Sequence, residues 1–523
     1  MYLACLRFMT RVTRDRARPD LGRDSVIPLD GSSRLPREAL GNKGFGINFM
    51  RSLALPVPPA FCLITDVCAM VLAGDERVLD RVWPDVLEKL RWLESETSRT
   101  FGHGPRPLLL SVRSGAAQSM PGMLDTVLDL GIDDAVQQAL GSHASPEFAA
   151  DTRSRFRAMY QRIVLGDDSS ADVPDDPLVQ LRGAIEAVFA SWNSPRAAAY
   201  RAHHGLDGTG GTAVVVQAMV FGNLHRDSGT GVLFSRNPAT GADEPLGEWL
   251  PGAQGEDVVS GTFDCLPLDA LRTEQPRVFN ELMAAAKELE RLGRDVQDIE
   301  FTVEEGRLWL LQTRVAKRSP QAAVRLALKF RACGLIDDAE ALRRVTPEHV
   351  RALLSPSLQP ETRLAATLLA TGLPASPGVT SGTAYTDVDA ALDAADEDQN
   401  VILVRISTSP DDVAGMLAAR AIVTEVGGAT SHAAVVSREI GRPAVVGCGA
   451  GVAAALDGRS ITVDGGAGEV FDGVLELTAW SERDTPDLAE LAAIARRVLG
   501  DVCETPLMAM LTAFRLAERS DVG

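Results

Sequence analysis

Long apolar runs are missing from this 523-residue sequence. None approaches the roughly 18 residues needed to cross a bilayer, which speaks against a membrane protein. Basic charge is also in short supply: 52 Lys and Arg stand against 71 Asp and Glu, for a formal charge of −19. A nucleic-acid binder would show a basic face, so that partner class is set aside. A local basic pocket for phosphates is not excluded, because net charge speaks to solubility rather than to sites. Paired cysteines are lacking too. Cys5, Cys62, Cys68, Cys265, Cys333, Cys448 and Cys503 include no C-x-x-C pair, which fits reduced thiols in a cytoplasmic protein better than a disulfide frame or zinc site. There is no internal repeat and no low-complexity tract. Gly208-Thr209-Gly210-Gly211 has no following Gly-Lys pair, so it is not a P-loop signature. His203-His204 and His225 have no carboxylate or cysteine at ligand spacing and read as surface or loop histidines.

What is present is an ordinary globular composition, 45% hydrophobic and 24% charged. The length allows roughly three or four domains. Residues 1–24 carry six arginines (Arg7, Arg11, Arg14, Arg16, Arg18, Arg23) against Asp15, Asp20 and Asp24. Their apolar stretch is too short and interrupted for a secretory signal; a disordered extension or an early start codon is expected, with a targeting peptide as the alternative. Residues 25–340 mix strand-like runs (Leu108–Val112, Ala213–Gln217, Ile299–Val303) with helical patterns. Among the latter are Asp85–Glu96, with Pro84 placed to start it, and Val278–Arg291. Residues 341–370 read as a helical linker punctuated by Pro347, Pro356 and Pro360. From 371 to 475, short β-branched runs (Val401–Ile406, Ala421–Thr424, Ala444–Val446, Ser460–Val463) alternate with small-residue helices, the pattern of a compact α/β domain. Residues 476–523 form an acidic and then helical tail. Its stretch Leu488–Arg515 is either a packed end-cap or a docking element for a partner.

The segment Thr424-Glu425-Val426-Gly427-Gly428-Ala429-Thr430-Ser431-His432-Ala433-Ala434-Val435-Val436 carries the chemistry. A strand ends near Thr424, the Gly-Gly pair allows a tight turn, and Thr430 or Ser431 caps a helix starting at or beside His432. Gly441 and Pro443 close that helix. His432 therefore stands in a first turn, where free N–H groups and the helix dipole favour an anion. An imidazole of ordinary pKa, about 6.5, is mostly neutral near pH 7 and offers a lone pair.

Several segments resemble one family. Leu40-Gly41-Asn42-Lys43-Gly44 and Leu55-Pro56-Val57-Pro58-Pro59 look like the opening of the nucleotide-binding domain of pyruvate, phosphate dikinases and phosphoenolpyruvate synthases. Ser111-Val112-Arg113-Ser114-Gly115-Ala116, Ser119-Met120-Pro121-Gly122-Met123-Leu124-Asp125-Thr126 and Ser191-Trp192-Asn193-Ser194-Pro195-Arg196 are similar to the dikinase branch. So are Gly229-Thr230-Gly231-Val232-Leu233-Phe234-Ser235-Arg236-Asn237-Pro238 and Ala253-Gln254-Gly255-Glu256-Asp257-Val258-Val259. The resemblance runs from about 25 to 475. It implies an α/β (α+β) chain in which an ATP-grasp nucleotide-binding domain precedes a small swivelling phosphohistidine domain. Lys43, Arg113 and Glu256 would then serve ATP, and Gln217, Met219 and Val220 would line the adenine slot.

Pattern supports a further cluster. Asp298-Ile299-Glu300-Phe301-Thr302-Val303 alternates, and Glu305-Gly306 offers a turn into Leu308–Leu311 and Gln312-Thr313-Arg314. By parity a hairpin brings Gln312 and Arg314 beside Asp298 and Glu300. Magnesium wants oxygen ligands and commonly shares them with nucleotide phosphates. Glu300 is the better metal candidate, with Asp298 and Gln312 as further ligands. The resemblance places Gln312 and Arg314 on the phosphate side.

The implied activity is partial. ATP and orthophosphate charge His432, giving AMP and pyrophosphate, for transfer to an acceptor such as pyruvate. The family's acceptor barrel needs about 250 residues, and 48 follow residue 475. A separate acceptor protein or a PEP/pyruvate-binding subunit is one expectation, and a homodimer is compatible with the resemblance. A non-catalytic ATP sensor that keeps the fold is the rival. Val426 departs from the arginine that dikinases commonly carry before the Gly-Gly pair, and Thr430 stands where some dikinases are controlled by a regulatory kinase.

Overall fold

The computed structural model describes residues 25–521, apart from 76, 119, 121–122, 167–170, 204, 207–209, 261–262, 264, 355–356, 479–480, 483–484 and 501–504. The extension expected over residues 1–24 lies outside the described residues. Two five-stranded antiparallel sheets build the N-terminal unit. The first runs in the order Val26–Pro28, Ala60–Leu63, Ala213–Ala218, Leu110–Gly115, Thr126–Leu130. The second runs Leu266–Pro267, Leu246–Pro251, Gly229–Phe234, Gln297–Glu304, Arg307–Val315.

Ala213–Ala218 shows why its sequence is β-branched without alternation: every residue is buried. Val214 and Val216 face a cluster with Val86 and Leu90 of the helix Val78–Thr97 and Ile185 and Phe189 of the helix Pro177–Ala190. Val215 faces the other way, into a core shared with Leu40 and Ile47 of the helix Arg37–Ser52 and with Ile299, Phe301 and Leu310 of the second sheet. Both sheets thus grip the Arg37–Ser52 helix, which fixes where Lys43 stands.

Two expectations are corrected here. Pro84 does not start its helix; it lies inside Val78–Thr97. An interior proline costs about 3 kcal/mol. Val78, Leu79 and Val82, all buried ahead of it, offset that cost at roughly 1.5–3 kcal/mol each. The run Leu108–Val112 splits at Leu109, with Pro107–Leu108 pairing to Thr100–Phe101 and Leu110–Gly115 entering the main sheet. That extension places Arg113 within the sheet.

The helices Pro320–Ala332, Asp338–Arg344 and Pro347–Leu353 share one apolar core with Pro486–Leu499 and Leu507–Asp521. Phe330, Leu342 and Val350 meet Leu488, Leu491, Met510 and Leu511 there.

The histidine-bearing unit is an eight-stranded sheet. Its centre, Val379–Tyr385, Val401–Arg405, Ala421–Thr424 and Ala444–Val446, is parallel. Leu368–Thr371 and Leu373–Ser376 sit at opposite edges although Gly372 alone separates them, so the sheet curls until its edges meet. The first of these strands lies ahead of the opening expected at 371. Ala391, Ala394, Ala433 and Ala434 bring the helices close to the sheet. Among the described residues no helix is long and apolar enough to cross a membrane.

Candidate phosphoryl-transfer site

The Arg37–Ser52 helix breaks at Gly41, where φ is +66°. A Cβ there would overlap the Gly115 carbonyl, so only glycine lets the end of the Leu110–Gly115 strand come this close. Asn42 N–H donates to the Ala116 carbonyl at 2.8 Å, fastening the same junction. Lys43 consequently stands beside Gly115 and near Arg113, Glu300 and Arg314. Burial and the Arg113 charge push its ammonium down to about 7, with Glu300 opposing them.

Arg113 projects from its strand across both sheets. Its guanidinium donates to Glu300 Oε2 at 2.9 Å, to Gln217 Oε1 at 3.3 Å and to the Leu311 carbonyl at 3.4 Å. The second-sheet hairpin supplies the rest. Arg314 lies opposite Asp298 and Gln312 opposite Glu300. Arg314 Nε donates to Asp298 Oδ2 at 2.8 Å, and Gln312 Nε2 donates to Glu300 Oε1 at 3.0 Å. The register slips between Glu300 and Phe301, which sends Phe301 into the core, stacked on Trp249 at 6.0 Å. Burial alone would raise the Glu300 pKa, but Arg113, Arg314 and Lys43 together hold it below the ordinary carboxylate value. Asp298 goes the other way: burial raises it more than Arg314 lowers it. Gln312 Oε1 is buried and has no hydrogen-bond partner.

The adenine-slot candidates lie at the end of the Ala213–Ala218 strand. Gln217 is tied to Arg113 and to the Pro58 carbonyl, and Met219 is buried with its N–H spent on Leu109 at 2.9 Å. Val220 is half-buried beside them. Glu256 falls in the helix Gly255–Ser260, and its side chain lies outside the described residues. His225 is exposed at a turn, 3.2 Å from Glu305. The side chains of His203 and His204 also lie outside the described residues.

In the second unit Gly427, at φ +117°, makes the turn after Ala421–Thr424, and the helix His432–Ile440 begins at the expected residue. Ser431 is the cap, accepting from Ala434 N–H. Thr430 points elsewhere: its hydroxyl donates to Glu248, on the Leu246–Pro251 strand of the other unit. A Cβ at Gly428 would overlap that same carboxylate. His432 Nδ1 lies 3.1 Å from the Thr408 hydroxyl, and Nε2 is buried without a partner. Burial pushes the imidazole down to about 4, against a weaker pull upward from Asp412.

The histidine helix therefore rests on the N-terminal unit. Glu439, in its last turn, accepts from the Tyr200 hydroxyl and from Lys317 Nζ at 2.5 Å. Its charge reaches Arg314, and Asp298 and Glu248 in turn act on the buried Arg438 guanidinium. Val413 packs with Met120, Met123, Trp192 and Tyr200. Thr408, Glu248, Tyr200, Lys317 and Glu439 were not singled out by sequence. Glu248 alone left a trace, as the only charge in a buried strand.

The AMP/ATP-binding domain model of pyruvate phosphate dikinase matches residues 76–277, and the mobile-domain model of PEP-utilising enzymes matches residues 397–468. The pyruvate, phosphate dikinase of Rhizobium meliloti (strain 1021) is 41% identical over 508 residues, covering 84% of this chain and 56% of that one. This chain is a relative of the pyruvate, phosphate dikinases. The dikinase of Clostridium symbiosum is 38% identical, over 86% of this chain and 58% of its own. Pyruvate, phosphate dikinase 2 of Zea mays is 40% identical, over 84% and 56%. The chain spans about half the length of the curated relatives it matches. In dikinase terms, His432 falls inside the mobile-domain match, and Arg113 inside the nucleotide-domain match.

Proposed function

We propose that this chain loads phosphate from ATP onto His432 in a dikinase-type half-reaction. The observation that carries the proposal is the seating of the histidine helix against the N-terminal unit, where Glu439 accepts from Tyr200 and Lys317, Thr430 donates to Glu248, and Arg438 lies 5.7 Å from the Phe234 ring of the second sheet. Lys43, Arg113 and Arg314 supply the cations for a triphosphate. With Nδ1 engaged by Thr408, Nε2 is the nitrogen available for attack, and the depressed pKa keeps its lone pair free at neutral pH.

The atoms balance in two displacements. Nε2 forms a bond to the β-phosphorus of ATP as the bond from that phosphorus to the α-phosphate oxygen breaks, and AMP leaves. An orthophosphate oxygen then bonds to the γ-phosphorus as its bond to the β-phosphate bridge breaks. Pyrophosphate departs, and one phosphoryl group, the former β, stays on His432. Onward transfer would go to an acceptor such as pyruvate.

The donor set fits magnesium as an ion shared with phosphates. Glu300 offers a carboxylate, and Gln312 Oε1 is a buried acceptor with nothing to accept from. Glu300, held ionised against its burial by Arg113, Arg314 and Lys43, suits the role better than Asp298, whose carboxyl burial pushes up. A nucleotide phosphate would supply further oxygens to such an ion. Bound there, the ion would neutralise phosphate charge as it develops.

The test is incubation with ATP labelled at the β-phosphate, with and without orthophosphate. Acid-labile label on the wild type, with AMP formed, is the expected result. If ATP binds but neither label nor AMP appears, the chain is a nucleotide sensor.

A further inference from the structure

We propose that Glu439 and Glu248 are positioning residues that grip the His432 helix at its two ends and seat it on the phosphate-binding hairpin. The inference rests on the reading of His432 as a phosphoryl carrier that must dock here and later leave.

Glu439 lies in the last turn of the helix. The hydrogen-bond partners of its Oε1, the Tyr200 hydroxyl and Lys317 Nζ, both belong to the opposite unit. Glu248 stands at the other end. It is 9% exposed, it accepts from Thr430, and its carboxylate occupies the space that a side chain at position 428 would need. The helix has nine residues, so the two grips are roughly 12 Å apart at 1.5 Å per residue. One contact would leave the helix free to pivot; two, with the apolar seat at Val413, set its direction and its rotation.

The chemistry of the grips suits a contact that must open. Here the carboxylate is buried and Lys317 is 37% exposed; such a pair contributes little net stability, because desolvation of the carboxylate offsets the attraction, yet it penalises misalignment. Glu439 Oε2 is buried with no partner. Separation returns that oxygen to water, so undocking recovers solvation that an apolar patch of the same size would not. The Gly428 position adds selectivity: any side chain there displaces the Glu248 carboxylate.

Hydrogen exchange on the whole chain, without nucleotide, tests the assignment. The proteins are wild type, Glu439→Gln, the Tyr200→Phe/Lys317→Met double variant, their combination, and Glu248→Gln. Exchange should quicken by about tenfold in peptides covering Trp192–Tyr200 and Ser431–Ile440. The strand cores Ala213–Ala218 and Val401–Arg405 should stay as in wild type. The combined variant should exchange no faster than Glu439→Gln alone, because its parts remove the same contact. Unchanged exchange at the facing peptides, additive effects, or equal acceleration in the strand cores would each overturn the proposal. Since no phosphate transfer is read, a failure of His432 to take label leaves this result standing, and the converse holds.

Discussion

At the scale of single residues, Lys43 is the group whose environment departs most usefully from solution. Its ammonium is held near pH 7 by burial and by Arg113, and the charged form is the one that attracts phosphate. Its lysine charge is therefore lost as pH rises through about 7, rather than above 10. ATP affinity of the unliganded protein should weaken by roughly tenfold between pH 6 and pH 8, read by equilibrium binding. Lys43→Arg should flatten that step, because a guanidinium stays charged throughout. A step of the same size in the variant would assign it to another group. Much of this cluster was legible beforehand. Parity alone put Gln312 and Arg314 on one face beside Asp298 and Glu300; the specific pairs, Arg314 with Asp298 and Gln312 with Glu300, come from the hairpin register. By residue type either Thr430 or Ser431 suits the cap. Ser431 takes it because Thr430 has a partner 182 residues away in sequence, which no local pattern carries.

At the scale of elements, strands read well and boundaries read poorly. Ala213–Ala218 and Gln297–Glu304 fall where β-branching and alternation put them. Pro84 misled because a proline signals a helix start only when nothing upstream needs burying, and Val78, Leu79 and Val82 do. The break at Gly41 was likewise invisible, since its cause is the Gly115 carbonyl on another strand. Gly41→Ala should combine left-handed backbone strain with that overlap and destabilise the N-terminal unit by about 2–4 kcal/mol. Thermal unfolding followed by Trp fluorescence would register it as a lower midpoint. An unchanged midpoint would show that the helix can start elsewhere and that Lys43 is not fixed by this junction.

At the scale of the whole molecule, the arrangement of the two units is what the sequence could least convey. Their types were readable, but the contacts among Glu248, Tyr200, Lys317 and Glu439 join distant segments of the chain. On the proposed reading, Glu300 and Gln312 of the hairpin would hold an ion shared with the nucleotide's phosphates. Chelation of divalent metal should thus abolish loading of His432 while leaving the circular dichroism spectrum unchanged; loss of helical signal would instead mean a structural metal. The most direct test of the central claim remains β-labelled ATP offered to wild type and His432→Ala in parallel. Acid-labile label on the wild type alone, with AMP released, is the predicted result. Label retained by the alanine variant, or absent from the wild type while ATP is bound, would contradict it.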